Sequence, residues 1–236
     1  MSDNDTGELS KKGNSSVSRR RRYVWFYDHV HSRYYQLAMK WCFLPLGGER
    51  KVRQELLRGV DFHPCDRILD MCCGTGNTTF VLAEMVGGQA AIKGIDLSRG
   101  MIDRAKKWNR FPNVEFMTMD AERTSFEAAS FDKVIIPHAL HEMFHQSRRQ
   151  VLQEAGRLLV NGGRLVVLEL DIPPRFLDRL LMGFWLLYWL PFNFETPTRR
   201  DMFRHDLVGE IRTAGFRNIV KRSLHRGMLQ TIQGER

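Results

Sequence analysis

The chain of 236 residues carries 36 Lys and Arg against 27 Asp and Glu, a formal charge of +9 with a pI near 9.7. Its length favours one large domain, or one domain with insertions, with enough chain to bury a core. The basic balance suits an acidic partner, either a nucleic acid or an anionic membrane surface, without choosing between them. Cys42, Cys65, Cys72 and Cys73 form no CxxC pair. Neither a zinc knuckle nor a disulfide framework is therefore expected, and a reducing cytoplasm fits.

Residues 1–22 are rich in Ser, Gly, Asn and Lys and end in the run Arg19, Arg20, Arg21, Arg22. Such a segment cannot bury enough apolar surface to order itself, so it is expected to be a disordered basic tail, and it lacks the apolar stretch of a secretory signal. Over 23–60, Val24, Tyr27, Val30, Tyr34, Ala38 and Trp41 recur at three- and four-residue steps and predict an amphipathic helix. Val52, Leu56 and Leu57 predict a second one, after a break at Pro45 and Gly47-Gly48, and together these make a helical cap. After Pro64, short apolar runs at 67–71, 91–95, 114–119, 133–136 and 164–168 alternate with helical spacing at 78–85, 101–108 and 149–159. That alternation predicts a Rossmann-like α/β domain over 61–236, with a parallel sheet and helices on both faces. An apolar insertion at about 172–198 interrupts it. A last helix over 199–214, with Thr198 and Asp201 as its capping pair, then precedes strands near 216–220 and 228–232. The seven strands give a mostly parallel sheet.

The segment Ile68-Leu69-Asp70-Met71-Cys72-Cys73-Gly74-Thr75-Gly76-Asn77 reads as a buried strand, a glycine loop and a helix start. A ligand then lies at the carboxyl end of the first strand, where only small residues let backbone come close. Thr79 occupies the place of the third glycine of a dinucleotide fingerprint, and the Gly-Lys-Ser/Thr ending of a phosphate loop is absent. Asp96 ends the second strand, about twenty residues on, where a carboxylate accepts ribose hydroxyls in this fold. Asp120, in Met119-Asp120-Ala121-Glu122, ends the third and is placed to accept from an adenine amino group. Three acids at three successive strand ends are far more specific than a glycine pair.

With these stretches, and with GIDLSRGMIDRAK, SFDKVIIPHALHEM, LLVNGGRLVVLEL and IRTAGFRNIV, the chain resembles the class I methyltransferases over roughly 66–220. Within them it resembles the ubiquinone/menaquinone biosynthesis C-methyltransferases. The resemblance implies S-adenosylmethionine as cofactor, with Asp70, Cys72, Gly74, Thr75 and Gly76 around its methionine part. It further implies Asp96 and the adjoining Leu97 at the ribose, Met101 near the adenine, Asp120 and Ala121 at the adenine edge, and Pro137 at the sulfonium end. Cys72 stands where that family usually has glycine or alanine, which is tolerable with φ below zero. Pro137 replaces a frequent serine, and Tyr27-Asp28 is similar to a Tyr-Asp pair of the family.

His141-Glu142-Met143-Phe144-His145 also matches the H-E-x-x-H zinc signature. It follows the fourth strand of a parallel sheet, which is not a zincin setting, so no metal is expected. His138 and His141 are instead placed at the mouth of the transfer site, as bases or as hydrogen-bonding residues, with His145 on a solvated face. The apolar run within 175–192 is too short to span a bilayer. Tyrosines and tryptophans, Trp108 excepted, concentrate there and in the N-terminal helices. That suits either a dry cap or an interfacial contact with an anionic membrane, which would put the protein in the cytoplasm or at the inner membrane face. The expected acceptor is a lipophilic small molecule, a quinone precursor, with a phospholipid amine or RNA as alternatives and a silent cofactor-binding scaffold as the non-enzyme reading. Ile136-Pro137-His138-Ala139 lacks the Asn-Pro-Pro-aromatic set of base methyltransferases, and no RNA-binding module follows, which argues against nucleic acid.

Overall fold

A computed structural model describes residues 25–188 and 196–236. The expected tail at 1–22, Val24, and part of the predicted insertion lie outside the described residues. Seven strands form one sheet in the order β3-β2-β1-β4-β5-β7-β6: β1 (Arg67–Met71), β2 (Ala91–Asp96), β3 (Val114–Thr118), β4 (Phe131–Pro137), β5 (Leu159–Leu170), β6 (Arg217–Leu224) and β7 (Leu229–Glu235). β1 to β5 are parallel, and β7 runs antiparallel between β5 and β6. The parallel strands are continuous apolar runs because helices cover both faces; Ile68, Leu69, Val134, Ile135, Val166 and Val167 are fully buried. Strand order reverses between β1 and β4, so their carboxyl ends open a crevice at the position where ligands bind in such sheets.

The helices are α1 (Ser32–Phe43), α2 (Glu49–Leu57), α3 (Asn77–Met85), α4 (Arg99–Trp108), α5 (His145–Leu158), α6 (Phe176–Tyr188), α7 (Thr196–Arg204) and α8 (Leu207–Thr213). Three details differ from the expectations. A π-turn, Tyr27–His31, precedes α1. Its wider turn shifts the helical phase. The expected stripe is consequently split: Tyr27 is buried, Tyr34 and Trp41 are more than half exposed, and Cys42 and Phe43 face inward. The single late helix is two helices, broken at His205-Asp206. Asp206 caps α8 by accepting from Val208 N, whereas Thr198 lies inside α7 and Asp201 accepts from Arg148 and from His145 N. Finally, β5 begins at Leu159 and passes through the exposed Asn161-Gly162 bend before the expected stretch.

Candidate active site

The loop after β1 is built from left-handed backbone. Cys72, Gly74 and Gly76 have φ of 62°, 57° and 84°. The condition set for Cys72 is therefore not met: a non-glycine residue occupies the left-handed region, at the cost its Cβ imposes. Gly76 is needed on two counts, its φ and the Phe116 ring, which lies 2.8 Å from where a Cβ would stand. Asp70 is fully buried beneath this loop. Thr79 Oγ1 donates to its Oδ2 at 2.6 Å, and Oδ1 is enclosed without a partner. Burial raises the Asp70 carboxyl to about 7, against the lowering effects of the Thr79 bond and of Arg53. A buried acceptor lacking a donor, under a loop with open space beside Gly74, suits a cationic ligand group.

Asp96 closes the next strand. Its Oδ2 accepts from Gly74 N and its Oδ1 from Ser98 N, both at 2.9 Å. Burial raises its pKa, those backbone donors oppose the rise, and the neighbouring Asp28 adds to it. Asp28 is brought there by the π-turn: Ser98 Oγ and Gly100 N donate to its Oδ1 at 2.5 and 3.0 Å. The N-terminal segment thus sits on the amino end of α4, where Ser98 is the cap and Met101 is buried. Leu97 is half-buried, Ala121 is buried, and Asp120 follows β3, its Oδ1 accepting from Glu122 N at 3.0 Å. These groups line successive strand ends, as expected.

A second clamp was not anticipated. Arg53, buried, and Glu49, half-buried one turn before it on α2, form an ion pair at 2.7 Å. Asn77 Nδ2 donates to the same Glu49 oxygen at 2.7 Å, and Arg53 also donates to Thr78 Oγ1. Burial works against the Arg53 charge, and Glu49 more than restores it. Gln36 of α1 donates to Asn77 Oδ1 at 2.8 Å. Both N-terminal helices are in this way stitched to the first turn of α3, the turn that follows the glycine loop.

Past β4, Pro137 is buried at the strand end, and the two histidines are in different environments. His138 has φ of 51°, its ring lies 6.1 Å from Phe43, and its Nε2 is enclosed without a partner. Burial, and then Arg53, push its pKa down to about 3, so the ring is neutral through the working range. His141 is buried in a short 3-10 turn, Leu140–Glu142, and its Nδ1 lies 2.7 Å from Glu169 Oε1. Its backbone N–H donates to the other Glu169 oxygen at 3.2 Å, and Leu170 N donates to Oε1 at 2.7 Å. Burial opposes the Glu169 charge, but His141, through its charge and its hydrogen bond, holds the carboxyl below its ordinary value. An ionised Glu169 fixes the His141 tautomer with Nδ1 as donor, which makes Nε2 the basic nitrogen. The sequence signal for Glu169 was a lone acid inside an apolar strand run, Val166-Val167-Leu168-Glu169-Leu170. The H-E-x-x-H histidines are not on one helix. His145 begins α5, 4.5 Å from His205 in a parallel ring stack, and no group of three metal-ligating side chains occurs among the described residues.

A fold of this strand order, with a glycine loop and acids at three strand ends, defines a nucleoside-binding α/β enzyme. A methyltransferase domain model matches residues 68–163. An uncharacterized methyltransferase of Synechocystis is 30% identical over 89% of this chain and 93% of its own length. A demethylmenaquinone methyltransferase of Bacillus cytotoxicus is 32% identical over 64% of this chain and 62% of that enzyme. Among solved structures, a SAM-dependent methyltransferase of Thermotoga maritima superposes with a TM-score of 0.62 at 21% identity, covering 88% of this chain and 98% of that one. The chain belongs to the class I methyltransferases, with S-adenosylmethionine as its cofactor.

Proposed function

We propose that this enzyme methylates a ring carbon of a lipophilic quinone precursor in its reduced, hydroxylated form. The observation that carries the reading is the buried His141–Glu169 pair just past the end of β4, a base with an orienting carboxylate that suits removal of a proton from an acceptor hydroxyl. The named activity of the Bacillus relative supports the same acceptor class.

S-adenosylmethionine, when bound, supplies an electrophilic methyl on a sulfonium. Asp70, the glycine loop and Asp96 would hold and orient that donor, and the N-terminal helices, tied to the first turn of α3, would shield it from water. Such alignment and dehydration together are worth about 7–11 kcal/mol of barrier. His141 Nε2 would take the proton of the acceptor hydroxyl, and the electron density so released would reach the ring carbon, which forms the new C–C bond as the methyl–sulfur bond breaks and S-adenosylhomocysteine leaves. Glu169 stabilises the imidazolium that results. The ring carbon then loses its own hydrogen as a proton to solvent, the His141 imidazolium returns its proton to the ring oxygen, and aromaticity returns.

The test is transfer of a labelled methyl group to demethylated short-chain quinols, with wild type and His141→Ala compared. Turnover is expected to fall by about 10²-fold or more in the variant, the usual range for a lost general base, while S-adenosylhomocysteine still binds. Equal turnover would remove His141 from the chemistry, and transfer to phosphatidylethanolamine but to no quinol would replace the acceptor class.

A further inference from the structure

Among the described residues, the outer faces of α1 and α6 are apolar and uncovered. Trp25, Tyr34, Leu37, Trp41 and Leu44 form one exposed group, and Ile172, Phe176, Leu177, Leu180, Leu181 and Phe184 form another. Together they are eleven of the fourteen large hydrophobic side chains exposed among the described residues, so the clustering is not the scatter of an ordinary surface. The two groups are joined: Trp185 Nε1 of α6 donates to Cys42 O near the end of α1, at 3.1 Å. Over 176–185, the part of α6 whose side chains are described, only Asp178, Met182 and Trp185 turn inward, a narrow i, i+4, i+7 stripe, which leaves most of that circumference to its surroundings. A helix so apolar on both its inner and outer faces belongs in an apolar medium.

We infer that this face docks on an anionic lipid bilayer, with α1 and α6 lying in the plane of the headgroup boundary. Charge selects this occupant. Lys40, Arg175 and Arg179 are exposed on or beside the two helices, α1 contains no acid, and the one acid of α6, Asp178, is buried and paired with Arg226. The sequence adds Arg19, Arg20, Arg21 and Arg22 just before Trp25. Tryptophan and tyrosine beside basic residues are the composition of interfacial helices. The 13 residues of α6 make a helix of about 20 Å, short of the ~30 Å hydrocarbon thickness. No helix among the described residues is long and apolar enough to cross a membrane. Contact in the plane needs no such span. The docking does not depend on the acceptor, although a lipophilic substrate would enter from this side.

The full chain is sedimented with vesicles of phosphatidylcholine alone and of phosphatidylcholine mixed with phosphatidylglycerol. Wild type is expected to pellet with the mixed vesicles. Leu180→Asp and Phe184→Asp should each lower its partition by about tenfold or more, as lost burial of one large side chain implies. Lys40→Gln and Arg175→Gln should each lower it about fivefold on mixed vesicles only, the effect of one interfacial charge. Vesicles with brominated acyl chains should quench tryptophan fluorescence, less so in Trp41→Phe. S-adenosylhomocysteine affinity, unchanged in all these variants, shows that they fold and keeps this test separate from that of the acceptor. Wild type remaining in the supernatant with both vesicles overturns the inference. So does a dimer stable without lipid that Leu180→Asp dissociates, because a second copy would then own the face.

Discussion

Glu169 and His141 face each other at 2.7 Å with the carboxylate fully buried. The Glu169 pKa is depressed in the folded state, so its contribution to stability is complete above the ordinary carboxylate range and is lost as pH falls through the lowered value. Glu169→Gln keeps the shape and removes the charge. It should cut kcat by about 10²-fold and leave S-adenosylhomocysteine affinity within about twofold, because the group acts on the base and not on the donor. Titration calorimetry beside turnover reads the split, and an equal loss in both would make the pair structural. Asp70 has the opposite sign. Its folded pKa is raised to about 7 by burial, so its ionisation weakens the free protein progressively as pH climbs from the ordinary value toward that point. A cationic amino group above it reverses the shift. S-adenosylhomocysteine affinity should therefore rise with pH from about 6 to 7, by up to tenfold per unit, and level off above. Asp70→Asn should bind more weakly and show no such slope; a slope surviving in that variant would assign it to another group.

The approach of the π-turn to α4 is set by one glycine. A Cβ on Gly100 would lie 2.6 Å from the Asp28 carbonyl oxygen and 2.9 Å from its Cα, backbone that no side-chain rotation can move away. Gly100→Ala should push the turn off α4, break the Asp28 bonds to Ser98 Oγ and Gly100 N, and cost about 1–3 kcal/mol. The junction lies at the surface end of β2 and involves no strand pairing, so the loss should appear as faster limited proteolysis near Tyr27 and weaker S-adenosylhomocysteine binding, with the urea midpoint of the core little changed. A fall in that midpoint with binding intact would place the strain elsewhere. Elements of this kind were only partly legible in the sequence. β1 and β4 were readable because strands buried on both faces leave apolar runs, the edge strand β3 because buried Val114 and Phe116 alternate with exposed Glu115, and Asp70, Asp96 and Asp120 followed from their places at strand ends. The π-turn was not readable, because its phase shift comes from docking on α4 and not from local periodicity. Glu49 and Arg53 looked like any surface pair one turn apart, and only tertiary contact with Asn77 and Thr78 buries them.

The N-terminal helices and the C-terminal strands are far apart in sequence but form one mechanical unit. α2 ends in carbonyls that its own helix cannot satisfy. Thr231 Oγ1 of β7 donates to Leu56 O at 2.7 Å, and Arg222 of β6 reaches the same carbonyl at 3.1 Å and Glu55 O at 2.5 Å. The other end of α2 holds the Glu49–Arg53 clamp on the first turn of α3. The helix is thus a strut between the antiparallel strands and the glycine loop, and it is bolted at both ends to the rest of the domain. Thr231→Val removes one bolt with little change in volume. It should lower stability by about 1 kcal/mol in urea unfolding, the net worth of a hydrogen bond whose acceptor keeps a second donor. Because the strut ends under the cofactor loop, S-adenosylhomocysteine affinity should also fall, by a few-fold. Combined with Asn77→Ala, the affinity losses should be less than additive, since both variants loosen one contact chain. Simple additivity would mean that the two ends of α2 act independently and that only stability, not cofactor binding, reaches the site from the far edge of the sheet.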